Sequence, residues 1–571
     1  MNIANPEAVT GRSRRLRCMR RTMMRGSLTA LLLAVMLYSC GSAAQTVSAP
    51  AQAVSHPVFP TGTATPLGAQ IETLLSDPGV SRAHWGIAVT AMDGTPIWGL
   101  DEGKLFRPAS NAKLFTTAAA MALLGPDATV ETKVVGDLDA HGTVKGDLTI
   151  VGAGDANFAS DDLPYVEPAL RPKGPQPQPV GLDDLRAMAD QLVAKGVKRV
   201  TGRVVGDDTL FVYEPFADSW DVGDLVWGYG APVSALTIAD NEMKLAVTPS
   251  AKGLPPAVTL DQNGVQYYTV KSEVEGTPAG TGSHVNVERM PGSRVLRVYG
   301  SMAVDAEPDV EEVSINDPAL YAAMALRQML VERGIAVGGK ATVEHDEMQD
   351  GRGYLSTVDR PLSTCEAALA GKSVTCATDC LVRPPPLGSV LASHTSAALA
   401  ADVRLTLKVS QNLHAELLLH RLSGLSSCSP ESTAQGARMV KAFLLHAGLD
   451  PEDFVFYDGS GLSGHDLVTP RATAQLLAYA AKQLWFAQWK AALPEGGEDG
   501  TLASRFPDPP LKDHVFAKTG TLGESRGLSG YLDAASGKQV IFSIFVDDHS
   551  PSTSADRAVM DKIVAAIAAA E

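Results

Sequence analysis

Three short phrases in this chain carry side chains suited to acyl transfer. The first is Ser110-Asn111-Ala112-Lys113. Pro108 stands two residues ahead of the serine, and an Ala-, Leu- and Met-rich run closed by Gly125 follows, which predicts a helix with both ends marked. Ser110 then sits at or just inside the helix N-terminus. Lys113, three residues on, falls on the same helical face, where its amine can take the serine's proton. Unpaired backbone N–H groups and the positive end of the helix dipole favour the negative charge of an oxyanion at that terminus. Taken alone, the same spacing also describes a capping serine followed by a surface lysine.

The second phrase, Ser410-Gln411-Asn412, falls at a predicted helix-to-helix turn, where a hydroxyl and a carboxamide can both face a cleft. The third, Lys518-Thr519-Gly520-Thr521, ends a predicted strand. Gly520 is expected to let a substrate backbone lie close along the strand edge, with Thr519 and Thr521 sharing one face. S-x-x-K, an S-D-N type element and K-T-G in this order form the signature of class A β-lactamases and penicillin-binding proteins.

The elements that position these phrases can be outlined. Trp85–Ala91 and Pro96–Trp98 around Asp93-Gly94 predict a hairpin that leads directly into the serine helix. Strands are predicted near the other end, over Val515–Thr519, Leu528–Asp533 and Gln539–Val546, before a closing helix from Ser554 to Ala570. Helices are predicted over Ser396–Lys408, Leu413–Leu422, Thr433–Ala447 and Thr469–Gln483, the last with Thr469 as cap and Pro470 in its first turn. From about Thr129 the texture shifts to short β-like runs, including Thr132–Val135, Gly146–Val151, Val200–Val205, Lys244–Thr248 and Gln266–Val270. Helices over Leu182–Ala194 and Pro318–Arg333 interrupt them, the second with Asp317 placed to cap it. Pro164 to Pro179 is read as a surface loop, and Pro384-Pro385-Pro386 as a boundary. Strands at both ends with helices between suggest one domain whose sheet is built from distant segments, around a large insertion.

A chain of 571 residues with 45% hydrophobic and 20% charged side chains reads as globular, with room for two or three domains. Its net charge is −16, yet residues 1–40 hold seven Arg and one Glu, so the remainder stands at −22. An acidic body argues against nucleic acid and anionic lipid as partners. Residues 1–40 predict an export signal: seven arginines precede an apolar core from Leu28 to Leu37 that is short for a membrane span. Ser42-Ala43-Ala44 suits ordinary cleavage, whereas Leu37-Tyr38-Ser39-Cys40-Gly41 resembles a lipoprotein box that would anchor Cys40. Residues 41–67, rich in Ala, Pro, Thr and Ser, read as a flexible tether. Cys365, Cys376, Cys380 and Cys428 remain after the signal. In an oxidising compartment they suggest up to two disulfides rather than a metal site, since no second cysteine pair or His at ligand spacing is nearby.

Longer phrases narrow the reading. Ser410-Gln411-Asn412-Leu413-His414-Ala415-Glu416-Leu417-Leu418-Leu419, Asp458-Gly459-Ser460-Gly461-Leu462-Ser463, Ala231-Pro232-Val233-Ser234-Ala235-Leu236 and Gly152-Ala153-Gly154-Asp155 together resemble the class C low-molecular-mass penicillin-binding proteins. The likeness runs from about Leu67 to the end. The 300-residue separation of Ser110 from Ser410 supports it, because a compact β-lactamase has no room there. Gln411 and His414 depart from the Asp and Tyr that members often show.

The resemblance implies an α+β fold: a penicillin-binding, β-lactamase-like transpeptidase domain, an antiparallel sheet flanked by helices, over residues 68–137 and 388–571. A β-rich insertion of one or two domains would occupy residues 138–387, with a nested subdomain at about 207–300. It implies a D-alanyl-D-alanine carboxypeptidase and endopeptidase acting on peptidoglycan stem peptides and cross-links, with β-lactams as covalent inhibitors and no cofactor or metal. By the same resemblance Ser110 is the nucleophile, Lys113 its base, Ser410 the proton donor to the leaving amine, and Asn412 the holder of the acyl donor's amide. Lys518, Thr519, Gly520 and Thr521 would bind the terminal carboxylate, and Asp155 would contact the stem peptide unless it is only a turn aspartate. The Asp458-Gly459-Ser460-Gly461 phrase is expected to shape the site wall, and Trp220 and Trp227 to pack within the insertion rather than serve as substrate platforms. Two rivals stand against this reading. A β-lactamase would need a water-activating element that the segment from Asn412 to Lys518 does not show, and a non-catalytic wall-binding scaffold would not need the full set of reactive groups.

Overall fold

The Asp93-Gly94 turn joins His84–Ala91 to Pro96–Leu100 as an antiparallel hairpin, and the last strand of the chain, Gln539–Asp547, zips along the hairpin's free edge from His84↔Asp547 to Ala91↔Val540. Ser525–Asp533 and then Val515–Leu522 complete a five-stranded antiparallel sheet, with Val515–Leu522 at its edge. Period-two alternation divides the strands' apolar residues between two cores. Ile87, Val89, Phe542 and Ile544 pack with Leu67 and Ile71 of helix Pro66–Leu75 and with Ile563 and Ile567 of the closing helix Ala555–Ala570. Ala88, Ile541 and Phe545 face the serine helix Ala112–Leu123 and helices further along the chain. Burial on both faces explains why these strands read as continuous apolar runs. This computed structural model describes residues 56–160, 165–171, 181–251, 253–347, 353–371, 388–426, 431–550 and 554–571. The expected signal, the possible anchor at Cys40, and Cys376, Cys380 and Cys428 lie outside those residues; Cys365 is a buried free thiol.

The serine helix is buried at every residue from Ala112 to Met121; its polar residues Lys113, Thr116 and Thr117 share one face and are hydrogen-bonded in the interior. Helices Leu399–Lys408, Asn412–Ser423, Thr433–His446 and Pro470–Ala480 surround it. Thr469 caps the last of these by accepting from Ala472 N at 3.1 Å. The expected helix from Ser396 begins only at Leu399, because Ser396 is tied to Val130 through both its backbone N–H and its side-chain oxygen.

The β-like middle of the chain forms a seven-stranded sheet and two three-stranded sheets. Glu131–Leu138 and Ser389–Thr395, on either side of the long intervening segment, pair with each other in the seven-stranded sheet. The expected strand Val200–Val205 is broken into Arg199–Val200 and Val204–Tyr213. At the break Gly202 donates to Gly146 O at 2.7 Å, and a Cβ there would meet Gly146 O at 2.5 Å. The strand Ser389–Thr395 carried no signal that distinguished it from the helix predicted just after it. Among the described residues no helix is long and apolar enough to cross a membrane.

Candidate active site

Ser110 sits on a 3-10 turn, Ala109–Asn111, that runs into helix Ala112–Leu123. Two glycines clamp this turn. A Cβ on Gly461 would lie 1.8 Å from Ala109 O, and one on Gly520 would lie 2.7 Å from Pro108 O. The missing side chain of Gly520 therefore admits the serine turn itself, a different use from the close substrate approach expected of it. Asn111, which the sequence did not single out, fills the remaining space: its Nδ2 donates to Lys518 O at 3.3 Å and lies over Gly520 and Gly527. The register Gly520↔Gly527 across the two strands is the signal that marks this spot.

Lys113 is fully buried, and its Nζ lies 2.9 Å from Ser110 Oγ, 2.6 Å from Asn412 Oδ1 and 2.8 Å from Ser460 O. Burial pushes its amine down to about 7, against the pull of the Asp458, Glu416 and Asp466 carboxyls. Ser410 adopts a left-handed backbone, φ +65, between the two helices. Its Oγ accepts from Lys518 Nζ at 2.8 Å. Lys518 is also buried, and its amine is held well below the usual lysine range, by burial first and then by Lys113 beside it. Gln411 caps the following helix by accepting from Leu413 N at 3.0 Å, which puts Asn412 at its first position. Asn412 Nδ2 donates to Tyr229 O at 2.8 Å, so a residue of the long intervening segment closes one side of the cleft.

The Asp458-Gly459-Ser460-Gly461 loop holds this arrangement from behind. Asp458 accepts from Gly461 N at 2.6 Å, Ser463 N at 2.7 Å and Trp220 Nε1 at 2.9 Å. Glu416 accepts from Gly459 N at 3.0 Å and Ser460 N at 2.8 Å, which aims the Ser460 carbonyl at Lys113. Burial, then the charge of Asp458, pushes the Glu416 carboxyl up to about 8. Trp220 is thus a partner of the site wall rather than packing confined to its own segment.

The edge strand supplies the other wall. Ala517 N donates outward to Pro494 O at 3.0 Å, so by alternation the N–H groups of Thr519 and Thr521 also point away from the sheet. Ser110, Ser410, Asn412, Tyr229 and Thr521 line a cleft of about 350 Å³, together with Asp224, whose carboxyl is raised by burial and accepts from Tyr229 Oη at 2.9 Å. Asp224 and Tyr229 were not foreseen, because nothing local in the sequence says that their loop folds over a serine some 110 positions away.

One expected site residue stands apart. Asp155 is 2% exposed and is absent from the cleft lining; its Oδ1 accepts from Asn157 N at 3.0 Å and its Oδ2 lies 3.4 Å from His394 Nε2. This is the geometry of the turn aspartate in the alternative reading: Oδ1 is taken up by its own turn and Oδ2 faces His394. His414 and His420 are buried on the helix that begins at Asn412. Among the described residues no group of three or more His, Cys, Asp or Glu side chains is arranged to hold a metal.

A buried amine beside a serine hydroxyl, a second amine–hydroxyl pair, a carboxamide and outward strand N–H groups make a site suited to serine acyl transfer. A family model described as the D-Ala-D-Ala carboxypeptidase 3 (S13) family matches residues 67–384 and 366–570. A D-alanyl-D-alanine carboxypeptidase of Actinomadura sp. (strain R39) is 31% identical over 88% of this chain and 85% of its own. A D-alanyl-D-alanine carboxypeptidase DacB of Haemophilus influenzae is 24% identical over 77% of this chain and 80% of its own. The crystal structure of penicillin binding protein 4 from Haemophilus influenzae superposes with a TM-score of 0.69 at 22% identity, covering 86% of this chain and 97% of that one.

Proposed function

The chain belongs to the D-Ala-D-Ala carboxypeptidase 3 (S13) family, and from that premise we propose that it is a serine DD-peptidase of peptidoglycan that forms its acyl-enzyme on Ser110. The 2.9 Å contact from Lys113 Nζ to Ser110 Oγ carries the assignment of nucleophile and base. Ser110 attacks the carbonyl of the penultimate D-alanine while Lys113, with an amine already near neutrality, takes its proton. The N–H groups of Ser110 and Thr521 receive the oxyanion, a contribution worth about 100- to 1,000-fold per donor. Ser410, hydrogen-bonded to Lys518, returns a proton to the leaving amine. The carboxamide of Asn412 exchanges its bond to Tyr229 O for the acyl donor's amide. Thr519 and Thr521 hold the terminal carboxylate beside Lys518. Water then releases the acyl group, and a β-lactam stops at the acyl-enzyme stage.

Terminal D-Ala-D-Ala and D-Ala cross-links share this chemistry. The arginine-rich start followed by a short apolar core supports export to the cell envelope, either free after cleavage or anchored by a lipid at Cys40. Incubation with pentapeptides and purified cross-linked muropeptides, followed by mass analysis, tests the activity. Release of neither D-alanine nor monomer, with no labelling of Ser110 by a fluorescent penicillin, would refute it. Rapid multiple turnover of a chromogenic cephalosporin would instead favour a β-lactamase.

A further inference from the structure

A second cavity, of about 190 Å³, adjoins the cleft and shares Thr521 with it. Thr519, Gly520 and Thr521 form one wall, and Arg505, Arg526 and Arg557 stand in the others. Three guanidinium groups around so small a space are a notable concentration in a chain of net charge −16. Two of them are engaged. Arg505 donates from Nε to Asp561 at 3.0 Å, and Arg526 pairs with Asp556, which is 1% exposed. Arg526 also donates from Nη1 to Thr521 Oγ1 at 3.3 Å, which occupies a lone pair of that hydroxyl and leaves its proton free to be given to a ligand. Arg557 is exposed and makes no ion pair among the described residues, so the cavity holds one uncompensated positive charge. The cleft next to it carries the carboxyl of Asp224 instead.

Under the DD-peptidase reading, the acyl donor lies toward Asn412 and the leaving group toward Thr519 and Thr521. Resting on that reading, we propose that the arginine-lined cavity is a leaving-group subsite for a second carboxylate, one other than the carboxylate beside the scissile bond. A departing D-alanine has only the carboxylate beside that bond. A departing stem peptide of a cross-link carries another at its own terminus, and a planar guanidinium is suited to take it. Arg557 supplies the unpaired charge, while Arg505 and Arg526, each balanced by an aspartate, shape the walls.

The test compares the full chain with its Arg557→Gln and Arg557→Lys variants on three substrates. These are a linear pentapeptide ending in D-Ala-D-Ala, a cross-linked dimer with a free terminal carboxylate on the leaving stem, and the same dimer with that carboxylate amidated. The parent enzyme should favour the free-acid dimer over the amidated one about tenfold in kcat/KM, the scale of one charge-assisted contact. Arg557→Gln should erase that preference, and Arg557→Lys should restore most of it. The proposal is overturned if the parent shows no preference, if the preference survives Arg557→Gln, or if neither dimer is cut while the pentapeptide is. It is also overturned if Arg557→Gln harms the pentapeptide as much as the free-acid dimer, since Arg557 would then read the carboxylate beside the scissile bond. Failure of the underlying reading looks different: no substrate is cleaved and penicillin leaves Ser110 unlabelled. Melting temperatures of the variants guard against a folding defect, which exposure of Arg557 makes small.

Discussion

His414 Nε2 lies 2.7 Å from Asp240 Oδ1, across the contact between the helix that begins at Asn412 and a turn of the long intervening segment. The other ring nitrogen lies 2.7 Å from Asp402 Oδ1, so the imidazole must carry both protons to donate to both carboxylates. Burial opposes that charge, but the Asp402 and Asp240 carboxylates prevail and raise the histidine to about 10. A charged clamp thus fixes the helix two residues beyond Asn412. His414→Gln leaves two buried carboxylates without their cation and should cost about 3–5 kcal/mol. The folded value lies above the unfolded one, so this stabilisation is complete below about pH 6.5 and is lost as pH rises through about 10. Melting temperatures of both proteins across that range should therefore converge toward the alkaline end. A gap that stays constant or widens would show that the imidazole is neutral.

Lys113 acts as a base only when its amine is neutral, and burial sets that transition at about 7. The rate of Ser110 acylation by a penicillin should rise tenfold per pH unit up to about 7 and then level, falling roughly 100-fold two units below the transition. A profile flat from pH 5 to 8 would exclude Lys113 as the titrating base. Lys113→Arg keeps a cation that cannot deprotonate, and stopped labelling is the expected outcome.

Ser410 is the hydroxyl that Lys518 Nζ reaches, at 2.8 Å. Ser410→Ala should lower kcat for D-alanine release by about 100- to 10,000-fold, the range for a positioned proton-transfer group. Steady-state kinetics on a pentapeptide, beside unchanged melting, checks it. A loss below threefold would remove Ser410 from the proton path.

Gly461 has φ +80, and a Cβ there would lie 1.8 Å from Ala109 O, so Gly461→Ala must displace the serine turn. Acylation should fall about 100-fold, as a displacement near 1 Å at a reacting group costs. Gly448→Ala serves as the contrast. Gly448 also has positive φ, but it stands outside the cleft and its Cβ would meet nothing within 4 Å, so its effect should be confined to backbone strain. Equal losses from the two substitutions would mean that the clamp on the serine turn is not what matters.

Much of this site could be read before any tertiary structure was known. Ser110 and Lys113 are three residues apart, and a helix start alone puts them on one face; the strand ending in Lys518-Thr519-Gly520-Thr521 and the turn at Ser410-Gln411-Asn412 are likewise local patterns. The apolar runs at the two ends of the chain foretold strands, and the order of the three phrases foretold the chemistry. Local pattern is silent about partners distant in sequence. Only the folded chain shows that Gly520 makes room for the serine turn, that Glu416 aims the Ser460 carbonyl at Lys113, and that Asp224 and Tyr229 line the cleft while Asp155 does not. The reason is physical: periodicity and capping act over a few residues, whereas burial, amine basicity and cleft shape come from segments hundreds of residues apart packing into one interior.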